Sequence, residues 1–259
     1  MIIDVHNNNH SYFLGFAMMD GHFSEKSRNR GLLSIELSSK DSELLHDFSR
    51  LFNINCLISN RLRDTNYKLE IDTTTLKIYN LAFREELKEI GFSTNGKNFF
   101  IPDGILMRDF WRGVIDADGS LGFMKSGRPF VSLVAVEENT KVEYFKLIKH
   151  LTNKDKNINR NKRDNVYNIM LCDEDAQAIV NYLYYDNCLS INRKSSKANE
   201  IMLWERKTNK RNHSVKKWDK EQDEFISNNS IEDSIIKLNR TKESIKTRLW
   251  RLNKKGSDK

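Results

Sequence analysis

The sequence predicts an α+β protein in which two tandem copies of an αββαββα unit are followed by a small all-α domain of three helices. Three observations carry this. Gly15, Asp20 and Gly21 recur as Gly113, Asp118 and Gly119 at a constant offset of 98, the mark of an internal repeat. Both copies then alternate the two-residue apolar period of strands with the helical period in the same order. Charge separates the third region. The 259 residues carry +7, and all of that excess falls in residues 205–259, where 16 Lys and Arg face 9 Asp and Glu. Residues 1–204 hold 27 of each sign.

In copy one a helix is expected over 11–20, with its end in Phe13–Gly21 (FLGFAMMDG). Strands over 22–27 and 32–38, a helix over 41–52, strands over 56–63 and 67–73 and a helix over 75–90 follow. Copy two repeats the order. Its helices are expected over 106–117, 140–151 and 174–185, and its strands over 120–125, 129–136, 157–162 and 165–172. The first of these helices ends in Trp111–Gly119 (WRGVIDADG). Thr140 and Glu143 have capping-box spacing, which places a helix start there. Gly21 and Gly119 stand where each motif helix must stop and the chain must turn. Residues 186–204 add a closing helix. The expected domains are therefore residues 1–100 and 101–204, a basic linker over 205–214, and a three-helix domain over 215–259.

In that last domain helices are expected over Lys220–Asn228, Ile231–Leu238 and Lys242–Asn253, with Ser230 and Thr241 as N-caps. Trp218, Phe225, Ile226, Ile235, Ile236, Leu238, Ile245, Leu249 and Leu252 recur at helical spacing as a small apolar core. The final helix then exposes Lys242, Lys246, Arg248 and Arg251.

Composition removes several classes. Cys56, Cys172 and Cys188 are odd in number and show no CxxC spacing, against a disulfide framework or zinc knuckle. No P-loop, GxGxxG or GxSxG element occurs. No apolar run approaches the roughly 20 residues of a membrane span, and no signal peptide is indicated. A cytoplasmic, nucleic-acid-associated protein with no membrane partner is expected, and the basic excess makes a polyanion the first partner to test.

Each motif is an apolar helix with a glycine five residues before its terminal Asp. A missing Cβ lets two helix backbones approach, so side-by-side packing would bring Asp20 and Asp118 out together. A carboxylate at a helix C-terminus faces the negative end of the dipole, and two together repel. A divalent cation relieves both effects, and hard carboxylate oxygens favour Mg²⁺ completed by water and phosphate oxygens; Mn²⁺ or Ca²⁺ could occupy the same place.

FLGFAMMDG and WRGVIDADG resemble the LAGLIDADG motif, and residues 10–204 are similar to a single-chain, two-repeat LAGLIDADG homing endonuclease. The resemblance implies a monomer with internal pseudo-two-fold symmetry, motif helices at the interface, and antiparallel sheets forming a saddle in the DNA major groove. It implies a site-specific double-strand DNA endonuclease with a long target site, cutting across the minor groove to leave 3′ overhangs. Asp20 and Asp118 become the catalytic metal-binding acids, with Met19 and Ala117 just before them in the metal site. Lys97 and Lys194 are candidates for the basic group that stabilises the transition state. Glu36 falls where a water-orienting side chain is expected, although its counterpart is Val134. Asp116 is matched by Met18, so a structural or solvent-facing role is expected.

DNA contact is expected from strand and turn residues around the acid pair: Lys26, Arg28, Arg30, Arg61, Arg63 and Lys68 in copy one, and Lys125, Arg128, Asn159, Asn161 and Arg163 in copy two. The tail resembles a Myb-like helix-turn-helix that anchors the enzyme to flanking DNA. A DNA-binding regulator without cleavage and an intron RNA maturase are the alternatives.

Overall fold

The computed structural model describes residues 1–28, 30–63, 70–94, 98–206 and 218–257. It divides into two compact units, Met1–Arg206 and Lys207–Lys259. In the first unit, one half comprises α1 (Asn8–Asp20), β1 (Gly21–Lys26), β2 (Arg30–Ser38), α2 (Ser42–Leu51), β3 (Cys56–Arg63), β4 (Ile71–Ile78) and α3 (Leu81–Ile90). The other comprises α4 (Met107–Asp118), β5 (Gly119–Phe123), β6 (Pro129–Ala135), α5 (Glu138–Thr152), β7 (Tyr167–Cys172) and α6 (Asp173–Leu183), and α7 (Asn192–Met202) closes the unit. Two antiparallel sheets result, ordered β1-β2-β4-β3 and β5-β6-β7.

Local chemistry accounts for the helix ends. Asn7 caps α1 by accepting from the N–H groups of Asn9 and His10. Gly21 and Gly119 close α1 and α4 by donating their N–H groups to Ala17 and Ile115, and both take extended backbone that leads straight into a strand. Each sheet then lays its alternate apolar residues on the helices. Leu33, Ile35, Leu76 and Ile78 do so in the first, and Val131, Leu133, Ile169 and Leu171 in the second; all are 1% exposed or less. A ring cluster of Phe13, Phe48, Phe52 and Phe83 fills the first half. Phe99, Phe110, Trp111 and Tyr144 fill the second. Among the described residues, no helix is long and apolar enough to cross a membrane.

Three expectations need correction. The strand expected over 157–162 is absent; those residues form an irregular segment running into a turn, joined by the Asn161 N–H to Val166 carbonyl bond of 2.8 Å. The segment Lys154–Asn165 holds a single apolar residue, Ile158, so no apolar face exists to hold a strand on the core. The helix expected over 75–90 starts only at Leu81, because Thr73, Thr74 and Thr75 are buried in the strand β4 and Asn80 caps the helix by accepting from Phe83 N–H. Thr140 is no cap; it lies buried within the first turn of α5, which starts at Glu138.

The second unit contains α8 (Lys220–Asn228), α9 (Ile231–Leu238) and α10 (Lys242–Ser257). Ser230 caps α9 through Asp233 N–H at 3.1 Å, and Thr241 receives Ser244 N–H at 3.3 Å. Its core is smaller than the apolar spacing suggested. Ile226, Ile245 and Ser234 are the buried centre, whereas Ile236 is 82% exposed, since the helical stripe of so short a helix is too narrow to turn both Ile235 and Ile236 inward.

Candidate active site

The two motif helices meet at their glycines. A Cβ on Gly15 would stand 2.0 Å from the Phe110 carbonyl oxygen, and one on Gly113 would stand 2.1 Å from that of Tyr12. Neither site has room for a methyl group, so the backbones of α1 and α4 are in direct apposition. The helices run in the same direction. At their N-terminal ends Ser11 Oγ accepts the Leu106 N–H at 3.2 Å. At their C-terminal ends Lys194 bonds the last turn of α4 while sensing the charge of Asp20. Both helices end five residues beyond the contact, so Asp20 and Asp118 emerge at one end of the pair. Asp20 is partly exposed and Asp118 exposed.

Lys194 holds this end together. Its Nζ donates to the carbonyls of Ile115 (2.8 Å), Asp116 (2.6 Å) and Gly119 (2.8 Å). These acceptors cluster at the negative end of the α4 dipole, where Ile115 also accepts the Gly119 N–H. The side chain is 6% exposed. Burial pulls its pKa below the ordinary lysine value, and the Asp116 carboxylate opposes that shift. The expected role of Lys194 as a direct phosphate-charge stabiliser is therefore corrected: an ammonium has three protons, and all three are given to main-chain carbonyls. Lys97, its expected counterpart, lies outside the described residues.

Asp116 is structural rather than solvent-facing. It is 1% exposed and accepts from Tyr12 Oη (2.8 Å), Tyr184 Oη (2.6 Å) and Ile191 N–H (2.9 Å), tying α1, α4 and the loop before α7 together. Burial raises its carboxyl pKa, offset by the Lys194 charge and these three donors. Asp109 and Arg112 form a second buried pair at 2.7 Å, with Arg112 also donating to the carbonyls of Leu183 and Leu189. The spacing of Asp109, Arg112 and Asp116 on one face of an apolar helix was the signal available for this network.

The strands carry the surroundings of each acid. Gly21 pairs with Ile35 and Gly119 with Leu133. Glu36 and Val134 are the next residues along β2 and β6, beyond the partners of the glycines that follow each acid. Glu36 accepts from Arg61 Nη2 at 2.6 Å and Thr75 Oγ1 at 3.2 Å. Arg61 is thus brought to the first acid's edge of the sheet already paired. Val134 sits beside Asn168 on the next strand.

The remaining basic residues scatter in type. Lys26, Arg28 and Arg30 are exposed around the β1–β2 turn, with Arg28 in a left-handed conformation (φ 60°). Lys125 is exposed in the β5–β6 turn. Arg128 is committed to Asp173 at 2.8 and 2.5 Å, which holds that carboxyl below its usual range; Arg206 shares the same acid. Asn161 and Arg163 lie on the turn that replaces the expected strand: Asn161 Oδ1 accepts the Arg163 N–H at 2.9 Å, and Arg163 pairs with Asp164 at 2.8 Å. Arg63 ends β3, and Lys68 lies outside the described residues. In the second unit Lys246 and Arg251 are exposed and Lys242 stands 3.6 Å from Glu232. Arg248 is forked onto Asp223 at 2.7 and 2.6 Å.

Among the described residues no group of three or more His, Cys, Asp or Glu side chains is arranged for a metal ion. Two carboxylates at one helix-pair end nevertheless fit a hard cation that takes its other ligands from main-chain carbonyls, water and phosphate.

Residues 9–91 match the model of a LAGLIDADG-like domain. The molecule is similar to the solved structure of the LAGLIDADG homing endonuclease I-SmaMI bound to cleaved DNA (14% identity, TM-score 0.50, 76% of this chain and 87% of that one). It is equally similar to meganuclease I-SmaMI bound to uncleavable DNA with a TTGT central four (14%, 0.50, 78% and 89%). The LAGLIDADG homing endonuclease I-LtrWI bound to target DNA aligns with 13% identity and a TM-score of 0.48 over 77% of this chain and 90% of that one. At these identities the likeness is one of fold. No curated protein matches the chain.

Proposed function

We propose that this chain, which carries a LAGLIDADG-like domain on the fold of the LAGLIDADG homing endonucleases, is a site-specific double-strand DNA endonuclease. One observation carries the reading: glycine-to-backbone apposition of α1 and α4 delivers one carboxylate from each half, Asp20 and Asp118, to the same end of the helix pair. A single carboxylate at a helix end is an ordinary turn; two, each leading into its own sheet, make a place for a phosphodiester of a duplex.

Asp20 and Asp118 would hold Mg²⁺, with the last-turn carbonyls of Met19 and Ala117 as further oxygen donors. Bound there, the metal supplies Lewis acidity and a lowered water pKa at the scissile phosphates. The chain's own contributions are positional. Lys194 fixes the end of α4 from which Asp118 projects, and its buried positive charge lowers the repulsion between the acids. Glu36, held by Arg61 and Thr75, gives the first acid an acceptor for a water proton that Val134 cannot give the second. Cleavage across the minor groove with 3′ overhangs follows from the family resemblance.

The sheets supply the duplex-reading surfaces, and Lys26, Arg28, Arg30 and Lys125 reach phosphates at their turns. The second unit is a Myb-like anchor on flanking DNA, with Lys242, Lys246 and Arg251 as phosphate contacts and Arg248 held in place by Asp223. The test is incubation of the full chain and Mg²⁺ with a randomised duplex library beside an Asp118→Asn control. Metal-dependent cuts at one recurring sequence, absent from the control, are expected. Tight duplex binding with no cuts would make the protein a regulator and overturn the nuclease reading.

A further inference from the structure

The two sheets turn unlike faces to solvent. On the first, the side opposite the core mixes His22, Ser24, Lys26, Ser34, Glu36, Arg61 and Lys77 with the apolar Leu32 and Leu57, so charge and hydrogen-bonding groups stand among its apolar ones. On the second, alternation turns Val131, Leu133, Ala135, Ile169 and Leu171 to the core and leaves the outward positions to other residues. These are Ser120, Phe130, Ser132, Val134, Asn168, Met170 and Cys172, and not one of them is charged. Val134 and Met170 are each 44% exposed, and Phe130 is partly exposed, its ring lying across Gly122. An exposed apolar patch in the middle of a sheet gains nothing in the isolated protein. Here it begins at Val134, next to Leu133, the partner of the Gly119 that follows Asp118, so a duplex seated on that acid would lie against it.

We infer that the second sheet reads an A·T-rich half-site, with Val134 and Met170 packed on thymine 5-methyl groups and Asn168 paired with an adenine edge. This rests on the endonuclease reading above. The chemistry is selective. In the major groove only thymine presents a methyl group, and Asn is the side chain that bonds bidentately to adenine N6 and N7. Guanine is read by Arg or Lys, and the two at the rim of this face are engaged elsewhere: Lys197, whose stem lies beside Gly122, donates to Glu200, and Arg128 is forked onto Asp173. Cytosine N4–H₂ needs an acceptor, and a Val–Met surface would strip that donor of water without replacing the bond. The charged first sheet carries no such restriction, so the two half-sites should differ in composition. The flanking turn residue Lys125 lies off this face and can hold the backbone without reading sequence.

The test uses the full chain and a duplex selected from a randomised library by binding in Ca²⁺. Each thymine of the selected duplex is replaced singly by deoxyuridine, which removes one methyl group and changes nothing else in the groove. For wild-type protein, uracil at two or more positions of one half-site should weaken binding by about fourfold each, the equivalent of one buried methyl. In Val134→Ala and Met170→Ala, both at exposed positions that the core does not depend on, the penalty should shrink at distinct positions of that same half-site. A selected duplex without thymine there, or uracil penalties that neither variant alters, overturns the inference while leaving the nuclease reading intact. If no duplex sequence is selected at all, the endonuclease reading fails and the inference falls with it.

Discussion

The two halves of the first unit share one scaffold and differ in what they place around it. Both end a buried helix in Asp-Gly, and both lead from that Asp into an antiparallel sheet. Yet among the described residues one sheet has four strands and the other three, and the residue next to the partner of the motif's last glycine is Glu36 in one and Val134 in the other. Inside the helices the contrast reverses. Asp116 of α4 anchors two tyrosines and a main-chain N–H, while the matching position of α1 is Met18, buried among apolar groups. The shared features are those that bring the acids together; the differing ones lie around them. Duplication therefore conserves the geometry of approach and lets each half acquire its own surface.

The scaffold is the place to break this comparison hardest. Gly15→Ala and Gly113→Ala each force a methyl into a main-chain carbonyl. Each should destabilise the first unit by about 3 kcal/mol or more in urea unfolding. Because they act at one interface, the double variant should lose less than the sum. A loss below about 1 kcal/mol in both would mean that the helices can part without harm.

A second contrast sets Asp116 against Met18. Asp116→Asn removes acceptor capacity from three buried donors and should cost about 1–3 kcal/mol. Met18→Leu should cost less than about 1.5 kcal/mol. The Asp116 effect carries a pH sign. Burial raises its carboxyl above 3.8, so folding favours the protonated form, and its contribution is full below that value and is lost as pH rises through the raised pKa. The gap between wild type and Asp116→Asn should therefore narrow with rising pH, as read by unfolding midpoints across an acid-to-neutral series. A widening gap would contradict the buried-acid description.

Lys194→Met tests the one-sided brace. Three carbonyls at the end of α4 lose their donor, and a destabilisation of about 1–3 kcal/mol is expected. Amide exchange should rise in the last turn of α4 before it rises in α1. Equal effects on both helices would argue against a local brace.

The smallest effect is expected where the halves differ at the surface. Glu36→Val makes the first half resemble the second and removes an ion pair whose arginine is 57% exposed. Stability should change by less than about 1 kcal/mol. Strand-resolved cleavage should slow on the strand served by Asp20 and stay unchanged on the other.

Much of this scaffold was legible from the chain. The Gly and Asp-Gly repeat announced the helix pair, and period-two patterns located β2, β3 and β6, because burial of one face must be written into side-chain order. The misplacements have physical causes. The sequence divides strand from helix near Thr75, yet threonine suits a buried strand when its hydroxyl finds a partner, as Thr75 does in Glu36, and β4 runs on to Ile78. The polar run 157–162 has a strand's place in the repeat but no apolar alternation of its own. Lys194 was expected in a phosphate site because its position in copy two matched a basic residue in copy one; whether a lysine faces a groove or a helix end depends on where α7 packs, which spacing does not encode. Glu36 stood out by position, but its tether to Arg61 spans two strands and could be seen only after the register was known.

The central claim is that Asp20 and Asp118 work as one centre although they come from opposite halves. Single-turnover cleavage of the selected duplex in Mg²⁺, with each strand labelled separately, tests it directly for wild type, Asp20→Asn and Asp118→Asn. Both variants are expected to bind the duplex as wild type does in Ca²⁺ and to lose double-strand cleavage by on the order of a hundredfold or more. Cleavage of both strands at the wild-type rate by either variant would show that the two carboxylates do not share the chemistry.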